Sequence, residues 1–153
     1  MSKPLSLLVV DVSEAWEEEI KENERGHSIE WDYSTGKYNQ RNFVGSYYDL
    51  KYPHGSIRAG LNAIIDTVRI AHERKVPIYA VEYITQWSDG EEQTCCSLQP
   101  YVPEENRYPK HSLSAFNGKY CKLADRMEAD KCEHLMVVGY DRDDCVLQTI
   151  RDA

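Results

Sequence analysis

The chain has 153 residues, 41% of them hydrophobic, enough for one domain with a core of its own. A formal charge of -8 argues against nucleic acid or an anionic membrane as the main partner, because holding phosphates needs clustered Lys and Arg; a small molecule or another protein is favoured. No apolar run approaches membrane-spanning length and the N-terminus lacks the apolar core of a signal peptide, so the expected location is cytoplasmic.

Residues 5–12 form a continuous apolar run bounded by Pro4 and read as a parallel strand buried on both faces, with Asp11 at its carboxyl end. Residues 13–33 are rich in Glu, with Trp16 and Ile20 as a narrow apolar edge, and read as a surface helix or lid. Residues 34–56 shift to Gly, Asn, Ser and Tyr and read as a long loop. Ser56 then caps a helix in which Ile57, Leu61, Ile64, Ile65, Val68 and Ala71 recur at helical spacing up to the basic end His72, Arg74 and Lys75. Residues 76–84 read as a second buried strand, so that strand, helix, strand implies a parallel crossover. Residues 85–109, with Pro100, Pro103 and Pro109, read as a loop above the sheet, in which residues 107–110 could extend as an edge strand. Residues 115–130 read as a helix through Leu123 and Met127, and residues 135–139 as a third clear strand.

After that strand the chain breaks at Gly139, turns through acidic residues and places Cys145 at the start of a helical pattern. A helix N-terminus carries partial positive charge and unpaired N–H groups, so it favours a thiolate and can cradle an oxyanion. Asp143 and Asp144 oppose this by favouring the neutral thiol. The other cysteines, Cys95, Cys96, Cys121 and Cys132, lack the spacing of a zinc site, and the odd total of five in a chain read as intracellular disfavours a disulfide framework. In open α/β sheets ligands bind beyond the carboxyl ends of the strands, where Asp11 and Cys145 both fall and which Lys110 adjoins.

The segments Leu7-Leu8-Val9-Val10-Asp11, Lys110-His111-Ser112-Leu113-Ser114-Ala115-Phe116 and Gly139 to Ala153, above all Cys145-Val146 with Thr149 and Asp152-Ala153, resemble the three signature blocks of the isochorismatase-like cysteine hydrolase superfamily. The resemblance implies a three-layer αβα sandwich with a mainly parallel sheet, and a catalytic triad of Asp11 as general base and acid, Lys110 as the cation that steadies the charges, and Cys145 as nucleophile. It also implies an oxyanion hole from the backbone N–H groups of Asp141 and Cys145, with a cis peptide at Tyr140-Asp141. Family members continue with two further strand and helix units, so the expectation is one domain over residues 1–153 that is truncated at its C-terminal end. Its third strand would keep an open edge unless a partner in a homo-oligomer covered it.

Nicotinamidases of the superfamily hold a divalent ion through an Asp-x-His motif and a second His, and residues 81–93 here contain no histidine. Asp49 and His54 read as plain surface residues, so no metal and no cofactor are expected. The presence of Cys145 favours cleavage of a C–N bond in a small amide, carbamoyl or ureido substrate through a thioester intermediate, over the acid-catalysed vinyl-ether hydrolysis of isochorismatases. A non-catalytic binding or scaffold protein on the same fold is the other alternative. Trp31, Trp87, Tyr47 and Tyr48 are the candidate substrate-binding residues.

Overall fold

A computed structural model describes residues 4–24, 27–32, 37–42, 56–83, 94, 96–117, 122–140 and 142–153. The apolar run near the N-terminus becomes β1 (Leu5–Val10), and its alternate residues face two different cores. Leu7 and Val9 pack on one face of the sheet, Leu8 and Val10 on the other, each essentially inaccessible to water. A strand with apolar side chains on both faces must lie inside a sheet covered on both faces. β1 accordingly sits between parallel neighbours, and the sheet has the order β5-β4-β1-β6 with β4 (Ile78–Tyr83), β5 (Arg107–Lys110) and β6 (His134–Gly139).

Three layers result. On one face lie α1 (Glu14–Glu24), through Trp16 and Ile20, and α2 (Ser56–Glu73), through Leu61, Val68 and Ala71. On the other lie α3 (Leu123–Ala129), through Leu123 and Met127, and the segment leading into α4 (Leu147–Asp152), through Val146. Both α2 and α3 end with a lysine in left-handed backbone geometry, Lys75 at φ 58° and Lys131 at φ 55°. Paired bonds close each end, Val76 N–H to Ala71 O at 2.9 Å and Cys132 N–H to Met127 O at 2.9 Å, and turn the chain towards β4 and β6.

The sequence expectations for residues 13–42 are corrected, and the rest of the loop expected up to residue 56, residues 43–55, lies outside the described residues. Trp16 and Ile20 are buried, 8% and 5% exposed, so α1 packs on the core and is not a surface lid. It begins where the Ser13 hydroxyl accepts the Trp16 N–H and ends before β2 (His27–Asp32), which pairs antiparallel with β3 (Lys37–Asn42) in a separate two-stranded sheet. The hairpin was hidden by its composition: polar residues dominate both strands, although Ile29 and Trp31 alternate with Ser28, Glu30 and Asp32 as a strand requires.

Of the helix expected over residues 115–130, α3 forms, residues 115–117 are not helical, and residues 118–121 lie outside the described residues. Before it, Ser112 donates through its hydroxyl to the carbonyls of Ser114 and Asn117, and the Ser114 hydroxyl accepts the Phe116 N–H. Hydroxyl side chains that bond to nearby backbone compete with helix formation. The edge strand expected at residues 107–110 is β5, and Pro109, which cannot donate to a ladder, is tolerated on that edge. The chain starts at β1, builds outward to β4 and β5, and returns to the far side of β1 for β6. Among the described residues β6 pairs with β1 alone, and its Met136 is 46% exposed.

Gly139 ends β6 at φ 146°, opposite Val10, and a Cβ there would collide with the Val10 backbone carbonyl. Replacing it with Ala is expected to destabilise the protein by about 2–4 kcal/mol, from backbone strain plus overpacking. Urea unfolding of Gly139→Ala against the unmodified protein measures the loss.

Candidate active site

Strand order reverses between β1 and β6, the kind of place where open α/β sheets bind ligands beyond the carboxyl ends of the strands. Asp11 stands there. Its backbone has φ 55°, a left-handed conformation that Asp tolerates better than most residues, and this ends β1. The bend carries the carboxylate across β4, where Oδ1 accepts the Tyr83 N–H at 2.8 Å.

Lys110 reaches the same carboxylate from two strands away. It ends β5 in register with Tyr83, passes its ammonium 4.9 Å above the Tyr83 ring, and brings Nζ to 2.8 Å from Asp11 Oδ2. The lysine is 1% exposed, and it donates to the backbone carbonyls of Ser112 and Leu113, each at 3.1 Å. The ammonium acts on the Asp11 carboxylate first through its charge and also through a hydrogen bond, and the Cys145 thiol hydrogen-bonds to the same side chain. The half-buried Cys145 thiol interacts with both groups and packs against the core cluster on the α3 side. The structure thus brings together Asp11, Lys110 and Cys145, residues far apart in the sequence.

Residues 142–146 form a π-helical turn that runs into α4 at Leu147, so Cys145 sits in the first turn of a helical segment. Burial, then the Asp11 charge and a hydrogen bond with Asp11, push the Cys145 pKa up to about 11, against the opposing pull of Lys110. Burial likewise raises the Asp11 pKa above the usual carboxylate range, and Lys110, Cys145 and the Tyr83 N–H only partly offset it. At neutral pH the free site therefore holds a protonated thiol.

The remaining expectations divide by position. Asp141, and with it the Tyr140-Asp141 peptide, lies outside the described residues, as do Trp87, Tyr47, Tyr48, Asp49 and His54. Trp31 lies in β2, in register with Tyr38 of β3. Among the described residues no group of three or more His, Cys, Asp or Glu could hold a metal ion. Cys96, Cys132 and Cys145 are free thiols. Sequence reasoning missed the Tyr83 N–H and the carbonyls of Ser112 and Leu113, since backbone groups leave no trace in residue identity. It also gave no role to Thr149, whose buried hydroxyl accepts the Ala115 N–H at 3.1 Å.

No family model matches the chain, and neither does any curated protein. Solved structures do match it. An isochorismatase from Pseudomonas putida superposes with a TM-score of 0.64 at 16% identity, over 98% of this chain and 64% of that one. An N-carbamoylsarcosine amidase from Thermoplasma acidophilum gives 0.57 at 18% identity, over 99% of this chain and 76% of that one. A nicotinamidase from Staphylococcus aureus gives 0.54 at 16% identity, over 97% and 72%. The fold is therefore the isochorismatase-like α/β fold. The chain spans 63% to 76% of the length of the structures it matches.

The arrangement predicts how the thiol titrates. Removing the Asp11 charge favours the thiolate, so Asp11→Asn should speed alkylation of Cys145 by iodoacetamide at pH 8 about tenfold, and Lys110→Met should slow it by a similar factor, one pKa unit each way. Mass spectrometry resolved by cysteine reads both rates, and the reverse order would contradict the charge assignment.

Proposed function

We propose that the chain is a cysteine hydrolase that cleaves a C–N bond of a small amide, carbamoyl or ureido substrate. The observation that carries the reading is the convergence of the Cys145 thiol, the Asp11 carboxylate and the Lys110 ammonium at the strand switch point, the last two 2.8 Å apart. The isochorismatase-like fold supports it, as that fold also serves the amidase and nicotinamidase above.

In this mechanism Cys145 Sγ attacks the substrate carbonyl carbon while its proton passes to Asp11, to whose carboxylate the thiol is hydrogen-bonded. The raised pKa of Asp11 suits it to accept that proton and to return it. The tetrahedral oxyanion is held by backbone N–H groups, for which Cys145 and Asp141 are the candidates. Collapse breaks the C–N bond, the departing nitrogen takes the proton from Asp11, and a thioester remains on Cys145. Water then attacks the thioester, giving its proton to Asp11, and the acid product leaves as the thiol is reprotonated. Two N–H groups of Lys110 are held by the Ser112 and Leu113 carbonyls, and its role is to steady the anion that alternates between Asp11 and the sulfur.

One observation favours a second reading, vinyl-ether hydrolysis of the isochorismatase type. A carboxyl whose pKa is raised by burial can protonate a substrate directly, with no need for the thiol. The two readings differ in their dependence on sulfur.

Ammonia release from a panel of small amides and ureido acids is the test. For C–N hydrolysis, Cys145→Ala and Asp11→Asn should each lower kcat/KM at least about 10³-fold. Full turnover of a vinyl ether by Cys145→Ala would favour the acid reading, and a lack of turnover on both substrate classes would favour a binding or scaffold role.

A further inference from the structure

The segment that carries Cys145 is weakly held by apolar burial. From residue 142 onward only Val146 and Thr149 are buried among the described side chains, while Leu147 is 37% and Ile150 54% exposed. Six residues of α4 cannot be anchored by one valine, so a polar tie carries more than usual weight. The Thr149 hydroxyl, 0% exposed, accepts the backbone N–H of Ala115 at 3.1 Å.

The other end of that bond matters as much. Ala115 belongs to the loop whose carbonyls at Ser112 and Leu113 hold the Lys110 ammonium, and the loop is braced by the Ser112 hydroxyl on the Ser114 carbonyl at 2.7 Å. Thr149 lies four residues, about one helical turn, beyond Cys145. The hydrogen bond from Ala115 to Thr149 joins the element bearing the thiol to the element caging the cation.

We propose that Thr149 is a positioning residue: by accepting the Ala115 N–H it fixes how far the Lys110 ammonium stands from the Cys145 sulfur. The inference deepens the hydrolase reading, on which its meaning for turnover rests. Thr149 touches neither substrate nor reacting atoms and acts through Lys110. Losing the bond lets the caged ammonium drift from the sulfur, which weakens the charge that favours the thiolate.

The test is alkylation of Cys145 by iodoacetamide across a pH series, which needs no substrate. Thr149→Val keeps the branched shape without the acceptor, and should slow alkylation at pH 8 about three- to tenfold and move the profile up by half to one unit. Thr149→Ser keeps the hydroxyl and should match the unmodified protein. Combining Thr149→Val with Lys110→Met should give no slowing beyond Lys110→Met alone, because the effect passes through the ammonium.

A folded Thr149→Val with an unchanged profile overturns the proposal, as does equal slowing in the Lys110→Met background, which marks a merely structural role. Should Thr149→Val not fold, amide hydrogen exchange of the unmodified protein decides: a strongly protected Ala115 N–H supports the tie, and exchange at the rate of a free peptide overturns it. If the profile shifts as expected while no substrate is turned over, the hydrolase reading fails and the coupling stands.

Discussion

Removing two opposite charges from water to meet inside a protein is expensive, and the ion pair of Asp11 with Lys110 lies almost wholly out of water, with side chains 13% and 1% exposed. Such a pair persists only when other groups replace the lost hydration. The Tyr83 N–H holds Oδ1, the Ser112 and Leu113 carbonyls hold the ammonium, and the Tyr83 ring lies beneath it. Those groups come from β4 and from the loop after β5, so the parallel register that brings Tyr83 opposite Lys110 is also what makes the pair tolerable. The left-handed backbone at Asp11 is part of the same arrangement, because it turns the carboxylate away from β1 and across its neighbour.

Burial affects the thiol and the carboxyl in the same direction. Both lose hydration of their charged forms, and the pKa values of both rise, with the Cys145 thiol reaching about 11. A site of this kind does not wait with a preformed thiolate. Its thiol is protonated at rest and hydrogen-bonded to the Asp11 carboxylate. Lys110 does not overcome the burial; it limits how far the thiol pKa climbs.

The site depends on elements of unequal solidity. β1 and β4 are sealed on both faces by helices, whereas β6 pairs on one side only among the described residues, and α4 leaves two large apolar side chains in water. The thiol thus rides on the less buried part of the fold, and hydrogen bonds such as that between Thr149 and Ala115 do what apolar packing does elsewhere.

The local pattern of the chain was sufficient for the parts of the molecule in which each residue's surroundings follow from its neighbours in sequence. The unbroken apolar run of β1 demanded burial on both faces, the helical spacing from Ile57 to Ala71 demanded one buried stripe, and the signature blocks around Asp11, Lys110 and Cys145 pointed to residues that do meet. Where polar residues carried the structure, that pattern was silent or misleading: β2 was read as part of a surface helix or lid and β3 as loop, and the start of the helix expected from Ala115 is instead a turn braced by Ser112 and Ser114. The ionisation of the thiol lay beyond the sequence altogether. It depends on how much water reaches Cys145 and on a carboxylate 134 residues earlier in the chain (145 less 11), and both are consequences of strand order and packing.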